Sequence, residues 1–99
     1  MTDDELLSRR LQTLASAVNR HFIELVALHP RTKTELARHF DYPSGQLHFV
    51  GKQLCDLNLV TVVQNPERYD YDSLGLATVL EWIMRIQSIQ AGTSHKNLS

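Results

Sequence analysis

Two short helical patterns, joined by a tight break in the middle of the chain, limit the possible folds more than any other feature. Thr32 and Glu35 have the spacing of a capping box, which predicts a short helix over residues 33–40. Pro43 suits the start of a second helix, predicted over residues 44–57. Apolar residues at helical spacing predict the buried faces of this pair: Leu36, Ala37 and Phe40, then Leu47, Val50 and Leu54.

The segment after this helix pair changes to an extended pattern. Residues 58–64 are rich in β-branched residues and predict a strand, and residues 65–67 (Asn-Pro-Glu) predict a turn. Residues 68–72 alternate aromatic and charged side chains, which is typical of a half-buried strand. We therefore expect a β-hairpin directly after the helix pair.

Further helical patterns lie on both sides of this segment. Residues 3–18 form the first, with three acidic residues in the turn where the helix dipole favours negative charge. The next follows directly and ends before Pro30, which cannot continue a helix. Residues 73–89 form the last. The polar, aperiodic residues 91–99 predict a flexible C-terminal tail after a domain of residues 1–90.

The order of these elements defines a fold class. A helix, a turn, a second helix and then a hairpin describe a winged helix-turn-helix. The prediction is a mainly α protein with a small β-hairpin: five helices and a two-stranded wing. The length of 99 residues suits one core and not two.

Composition and charge exclude several classes of protein. No apolar run approaches the ~18 residues of a membrane span, and the acidic start is unlike a secretory signal. We therefore expect a cytoplasmic protein without a membrane partner. The sequence contains no phosphate loop, nucleophile motif or metal-hydrolase spacing. We therefore expect that the protein is not an enzyme and needs no cofactor.

Short motifs on the helix pair and hairpin match a known family pattern in order and without gaps. They are Glu35-Leu36-Ala37, Leu47, Leu54, Leu59-Val60 and Tyr71. On these motifs the chain, over about residues 13–83, resembles the ArsR family of winged-helix transcriptional repressors. The resemblance implies a repressor that binds double-stranded DNA and dimerises through its first and last helices.

The chain departs from the family pattern at several positions. Gly51 stands where leucine is usual, Asn58 where glycine is commonest, and Tyr42-Pro43 replaces leucine-serine. The wing also lacks the usual run of arginines and lysines.

The outward side of the second helix of the pair is the candidate DNA-binding surface. A glutamine can bond adenine through two atoms, and serine, histidine and lysine can contact phosphates. The candidate DNA-binding residues are Lys33, Ser44, Gln46, His48, Phe49, Lys52 and Arg68. The alternative is an ordinary solvated helix with Phe49 packed against a neighbour.

Charge in this region is close to balanced. Five positive side chains lie between residues 31 and 72: Arg31, Lys33, Arg38, Lys52 and Arg68. Six negative side chains accompany them: Glu35, Asp41, Asp56, Glu67, Asp70 and Asp72. Because phosphate contacts supply most non-specific affinity, we expect weak DNA binding by a monomer and stronger binding by a homodimer.

The first and last helices carry more apolar residues than one buried stripe requires. The predicted dimer interface comprises Leu6, Leu7, Leu11, Leu14, Leu76, Val79, Leu80 and Ile83. The alternative is that both stripes pack into the core of a single protomer.

Potential metal ligands do not follow a site spacing. Cys55 is the only cysteine, and the last helix has Glu81 as its sole carboxylate and no histidine. The histidines are scattered at His21, His29, His39, His48 and His95. We therefore expect no metal site, and we interpret Cys55 as a half-buried apolar residue, with redox sensing as the alternative.

Two functions remain open from the sequence. The first is a sequence-specific DNA-binding regulator acting as a homodimer. The second is a winged-helix module that binds a protein partner instead of DNA, which the net charge of −1 and the acidic wing favour.

Overall fold

The computed structural model describes residues 1–98, with all side chains except those of Ser44 and residues 93–98. The elements are α1 (Asp3–Leu14), α2 (Ala17–Leu28), α3 (Lys33–Phe40), α4 (Ser44–Asp56), β1 (Val60–Val63), β2 (Arg68–Tyr71) and α5 (Ser73–Leu98). Within this described part, five helices and one two-stranded sheet occur in the predicted order. The predicted winged helix-turn-helix is confirmed.

The break between the first two helices lies earlier than predicted. The apolar pattern predicted one helix over residues 3–18, but α1 ends at Leu14. Asn19 Nδ2 donates to the Thr13 carbonyl oxygen (2.8 Å), and Arg20 Nη1 donates to that of Leu14 (2.8 Å). These side chains of α2 satisfy the last carbonyl groups of α1. The chain therefore turns where neither proline nor glycine marks a turn.

Helix α5 continues beyond the predicted end at Ile89 to Leu98. The backbone of residues 91–98 is therefore helical, and His95 belongs to the last helix, where the sequence analysis expected no histidine. Ser99 lies outside the described residues, and flexibility of the tail stays a prediction. Neither α5 nor any other helix in the described part is apolar enough over sufficient length to cross a membrane.

The first strand begins at Val60, later than the predicted start at residue 58, because the turn that ends α4 includes Asn58 and Leu59. Asn58 has a left-handed backbone (φ 57°). Its N–H donates to the Cys55 carbonyl oxygen (3.1 Å), and the Leu59 N–H donates to that of Leu54 (3.0 Å). This is a Schellman motif, in which asparagine can replace glycine. Asn58 therefore adopts the left-handed conformation that glycine commonly supplies at the end of a helix.

The hairpin includes a third short segment that the sequence analysis missed. Strands β1 and β2 are antiparallel, with Val60 opposite Tyr71. Arg31, just before α3, joins the other edge of β2. Its N–H donates to the Tyr69 carbonyl oxygen (3.0 Å), and the Tyr69 N–H donates back (2.8 Å). The entry to α3 is thereby attached to the wing.

The core lies between α2, α3, α4 and the hairpin. Its most buried side chains are Phe22, Val26, Leu36, Leu47, Leu54, Leu59 and Val60. Burial of each such large apolar side chain contributes roughly 1.5–3 kcal/mol. The predicted inward faces of α3 and α4 are confirmed, since Ala37, Phe40 and Val50 pack against this core. This packing determines which side of α4 faces outward.

Candidate nucleic-acid interface

A three-residue turn places α4 across α3. Asp41 follows α3 with a left-handed backbone (φ 55°), and the Tyr42 N–H donates to the Ala37 carbonyl oxygen (3.2 Å). Helix α4 then begins after Pro43, whose carbonyl oxygen accepts from the Leu47 N–H (3.1 Å). This turn-linked pair is the helix-turn-helix, with α4 as its second helix.

The side of α4 opposite the core carries the predicted contact residues. Gln46, His48, Phe49 and Lys52 are all exposed. The Phe49 side chain is 69% exposed, so it does not pack against a neighbour within the protomer. Residues three apart lie along one side of a helix, so Gln46, Phe49 and Lys52 form one continuous ridge. The Ser44 side chain lies outside the described residues.

Lys33 and His48, both candidate DNA-binding residues, lie together in the structure. Lys33 is on the first turn of α3, and its Nζ lies 3.0 Å from Nδ1 of His48 on α4. The two nitrogen atoms are within hydrogen-bond distance, and the ammonium group can act only as the donor. Fifteen residues separate the two in sequence. The contact therefore depends on how α3 and α4 pack, which no local pattern reveals.

Arg68 lies at the base of the wing turn and is half-buried. Its Nε donates to the Pro66 carbonyl oxygen (3.2 Å), so part of the guanidinium group stabilises the turn itself. Asn65, in the same turn, has a left-handed backbone (φ 64°). Arg68 and the ridge on α4 belong to separate elements of the predicted DNA-binding surface.

Three of the six acidic residues counted in this region bind backbone N–H groups. Glu35 accepts from the Thr32 N–H (3.2 Å), and this bond, with that from the Thr32 hydroxyl, holds the pKa of Glu35 below its ordinary value. Asp70 and Asp72 accept from nearby backbone N–H groups at 2.8 and 2.9 Å. The partial positive charge of these donors offsets part of the negative charge. The remaining three acidic residues are exposed: Asp41, Asp56 and Glu67.

Cys55 is half-buried at the end of α4. Burial raises the pKa of its thiol, and the carboxylates of Asp56 and Asp72 raise that pKa further. A raised pKa reduces the thiolate fraction, which is the reactive form. This environment favours the interpretation of Cys55 as an apolar packing residue.

No cluster of three His, Cys, Asp or Glu residues in the described part is arranged to hold a metal ion. The expected lack of metal sensing stays a prediction.

The residues of the predicted dimer interface fall into two groups. Val79 is buried within the protomer, and Leu6, Leu14 and Leu76 pack against its core. Leu7 and Leu11 are half-buried. Leu80 and Ile83 are 56% and 41% exposed, and α5 continues with exposed Met84 and Ile86. The apolar stripes of α1 and α5 are therefore only partly absorbed by one protomer.

Arg10 is a buried connection that sequence reasoning missed. Its Nε donates to the Leu57 carbonyl oxygen (2.8 Å), and its Nη1 donates to the Thr78 hydroxyl (3.0 Å). Arg10 thus joins α1 to the end of α4 and to α5. An arginine in an amphipathic helix normally indicates an exposed position, and its partners here are distant in sequence.

The fold and the exposed side of α4 define a winged helix-turn-helix protein. The structure is similar to a crystal structure of an ArsR family transcriptional regulator, with a TM-score of 0.81. The similarity covers 91% of this chain and 95% of the other, at 20% sequence identity. No protein-family model matches the sequence, and neither does any curated protein. The structural likeness confirms the fold that the resemblance to the ArsR family implied.

Proposed function

We propose that this protein is a cytoplasmic, sequence-specific DNA-binding transcriptional regulator that represses as a homodimer. The observation that carries the proposal is the exposed ridge of Gln46, Phe49 and Lys52 on α4. Buried Leu47 and Leu54 hold this ridge away from the core. The likeness to a structure described as a transcriptional regulator supports the same function.

Helix α4 is the element proposed to enter the major groove, whose width admits an α-helix. Gln46 would bond the edge of an adenine through its amide, and Phe49 would contact a thymine methyl group. Ser44, His48 and Lys52 would flank this ridge against phosphates. Lys33 extends the phosphate-binding side because its ammonium group lies beside His48.

The wing is proposed to contact the adjacent backbone. Arg68 supplies the positive charge at the base of the turn, while Glu67 beside it is negative and exposed. The wing therefore adds little net attraction. Most of the affinity must come from α4 and from the presence of two copies.

A homodimer would supply this second copy. Leu80 and Ile83 leave an exposed apolar surface on α5, and exposed apolar patches of this kind commonly mark interfaces. Since each phosphate contact adds to the electrostatic affinity, doubling the basic side chains on one duplex offsets the near-neutral charge of the protomer.

A second candidate function is binding of a protein partner through the same ridge. The exposed Phe49 favours it, since aromatic residues are enriched at protein interfaces. The net charge of −1 also favours it over nucleic acid. The salt dependence of binding affinity distinguishes the two functions, because DNA binding weakens steeply with salt and an apolar protein contact does not.

The test measures fluorescence anisotropy on duplexes selected from a random pool and on unselected duplexes. Gln46→Ala should cost about 1–3 kcal/mol on the selected site and little on random DNA. Lys52→Ala should weaken both equally and reduce the salt slope by about one. Arg85→Ala removes an exposed positive charge from α5 and serves as the charge-matched control.

The outcomes discriminate between the candidates. Equal losses on both duplexes for Gln46→Ala would remove its base-reading role. Absence of any DNA binding by the unmodified protein at low salt would overturn the proposal in favour of a protein partner.

A further inference from the structure

A cavity of about 560 Å³ lies beside the C-terminal end of α4, next to the exposed ridge, and is lined by Gln53 and Asp56 of that helix. Its walls come from α1, from the first turn of α2 and from the last turn of α4. This volume is within the range of roughly 300–1,000 Å³ that is usual for small-molecule sites. Nothing in the proposed DNA contact uses it.

Two polar side chains of the cavity wall are more than nine-tenths buried. Thr13 is 7% exposed and Asn19 is 9% exposed. Asn19 Nδ2 donates to the Thr13 carbonyl oxygen (2.8 Å), which fixes the amide orientation. The Asn19 Oδ1 and Thr13 hydroxyl have no hydrogen-bond partner among the described residues.

These polar atoms are available to contact a ligand. No fully occluded side-chain polar atom in the described part lacks a partner. The Asn19 amide oxygen and the Thr13 hydroxyl must therefore be reached by solvent, and the cavity that both residues line is the opening beside them. They offer one acceptor and one group that both donates and accepts.

The cavity wall also carries one charge of each sign. Arg9 on α1 and Asp56 on α4 both line it, and neither side chain has a hydrogen-bond or ion-pair partner among the described residues. The other polar wall residues, including Gln53, are uncharged. A wall with an uncommitted guanidinium and an uncommitted carboxylate suits a ligand with a carboxylate and an ammonium group.

The position of the cavity links it to α4. Gln53, Asp56 and Leu57 form its α4 side. The Leu57 carbonyl oxygen accepts from Arg10 Nε (2.8 Å), so α1 is attached to the end of α4 beside the cavity. A ligand that draws Arg9 and Asp56 together would change the spacing of α1 and the end of α4.

We propose that this cavity binds a free α-amino acid as an effector. Its carboxylate pairs with Arg9, its ammonium group pairs with Asp56 and Asn19 Oδ1, and its side chain meets the uncharged amides. Occupancy shifts α4 and changes DNA affinity. This last step rests on the proposed function, whereas amino-acid binding does not.

Nuclear magnetic resonance of the ¹⁵N-labelled full chain tests the binding. The common L-amino acids are added singly at millimolar concentration, with ammonium acetate as the control for separate charges. At least one amino acid should shift the side-chain amide signals of Asn19 and Gln53 in a saturable manner. If no amino acid moves these signals further than ammonium acetate does, the proposal is overturned.

Variants then test the two charges. Arg9→Gln and Asp56→Asn should each raise the Kd for that amino acid about tenfold or more, since each removes a charge-assisted contact. Arg38→Gln and Asp41→Asn make the same charge changes on α3 and the following turn, and should leave the Kd unchanged. If the two control variants raise the Kd as much as the two cavity variants do, the amino acid does not bind in this cavity.

Anisotropy on a selected DNA duplex tests the coupling. An amino-acid concentration that occupies the unmodified protein but lies below the Kd of Asp56→Asn should change DNA affinity in the unmodified protein and not in that variant. An unchanged affinity would overturn the effector role while leaving the binding site in place. A protein that binds the amino acid but no DNA at any salt would contradict the proposed function and not the site.

Discussion

The ring of Tyr69 lies directly against Gly51, so that a Cβ added at Gly51 would be 2.8 Å from both the ring Cζ and the hydroxyl oxygen. Tyr69 is on β2 and Gly51 is in the middle of α4. The missing side chain lets the wing pack closely on the helix. This explains why glycine stands where the ArsR pattern has leucine, since Tyr69 occupies the space of that side chain.

The first prediction concerns this contact. Gly51→Ala should lower the free energy of unfolding by about 1–3 kcal/mol, because the added methyl group overpacks the site. Gly45→Ala is the matched control in the same helix, since a Cβ there meets nothing within 4 Å. It should be neutral or slightly stabilising, because alanine favours helix. Urea denaturation measures both, and equal stability of the two variants would contradict the contact.

The second prediction concerns the start of α5. A Cβ added at Gly75 would overlap the backbone oxygen of Asn58, which accepts the Gly75 N–H (2.9 Å). Backbone atoms cannot move aside as a side-chain end can, so Gly75→Ala should lower the thermal unfolding midpoint. Gly92→Ala, with open space around the added Cβ, should not lower it. A midpoint that is the same in both variants would show that the turn tolerates the methyl group.

The third prediction is a pH dependence at the start of α3. Hydrogen bonds from the Thr32 N–H and hydroxyl hold the pKa of Glu35 below its ordinary value. As pH falls, the unfolded state therefore takes up the proton before the folded state does. The stability that the Glu35 carboxylate contributes is fully present above its ordinary pKa, and it is lost as pH falls through the lowered pKa of the folded state. The stability advantage over Glu35→Gln should be present at neutral pH and shrink below about pH 4.

Urea denaturation of both proteins at neutral pH and on the acid side measures that difference. Glu24→Gln, at an exposed position of α2, controls for the general loss of one carboxylate. A Glu35→Gln difference that does not change with pH would show that the carboxylate charge is not part of the cap.

The fourth prediction concerns the proposed homodimer. The double variant Leu80→Glu with Ile83→Glu should sediment as a monomer at micromolar concentration and keep its fold, because both side chains are exposed in the protomer. Leu74→Glu is the matched control: Leu74 is also exposed on α5 but, at about 100° per residue, lies on the side of Glu81.

Analytical ultracentrifugation with circular dichroism measures assembly and folding together. The unmodified protein and Leu74→Glu should have twice the chain mass. If the unmodified protein is a monomer, the homodimer is removed from the proposed function. DNA binding through α4 would then be tested on the monomer.

Local signals predicted most elements within a residue or two. The Thr32–Glu35 capping box places the start of α3, and Pro43 lies immediately before α4. The predicted inward positions Leu36, Leu47 and Leu54 are all fully buried. These features depend on neighbours a few residues away, since helix caps and amphipathic faces involve side chains within one or two turns.

The sequence by itself therefore determined the order of helices and strands, and the side of α4 that faces outward. Only the tertiary structure decided the break between α1 and α2, the burial of Arg10, the Lys33–His48 contact and the packing of Tyr69 on Gly51. Each of these joins residues on different elements. Their geometry depends on how the elements pack, and a periodic pattern within one element carries no information about the atoms that another element brings against it.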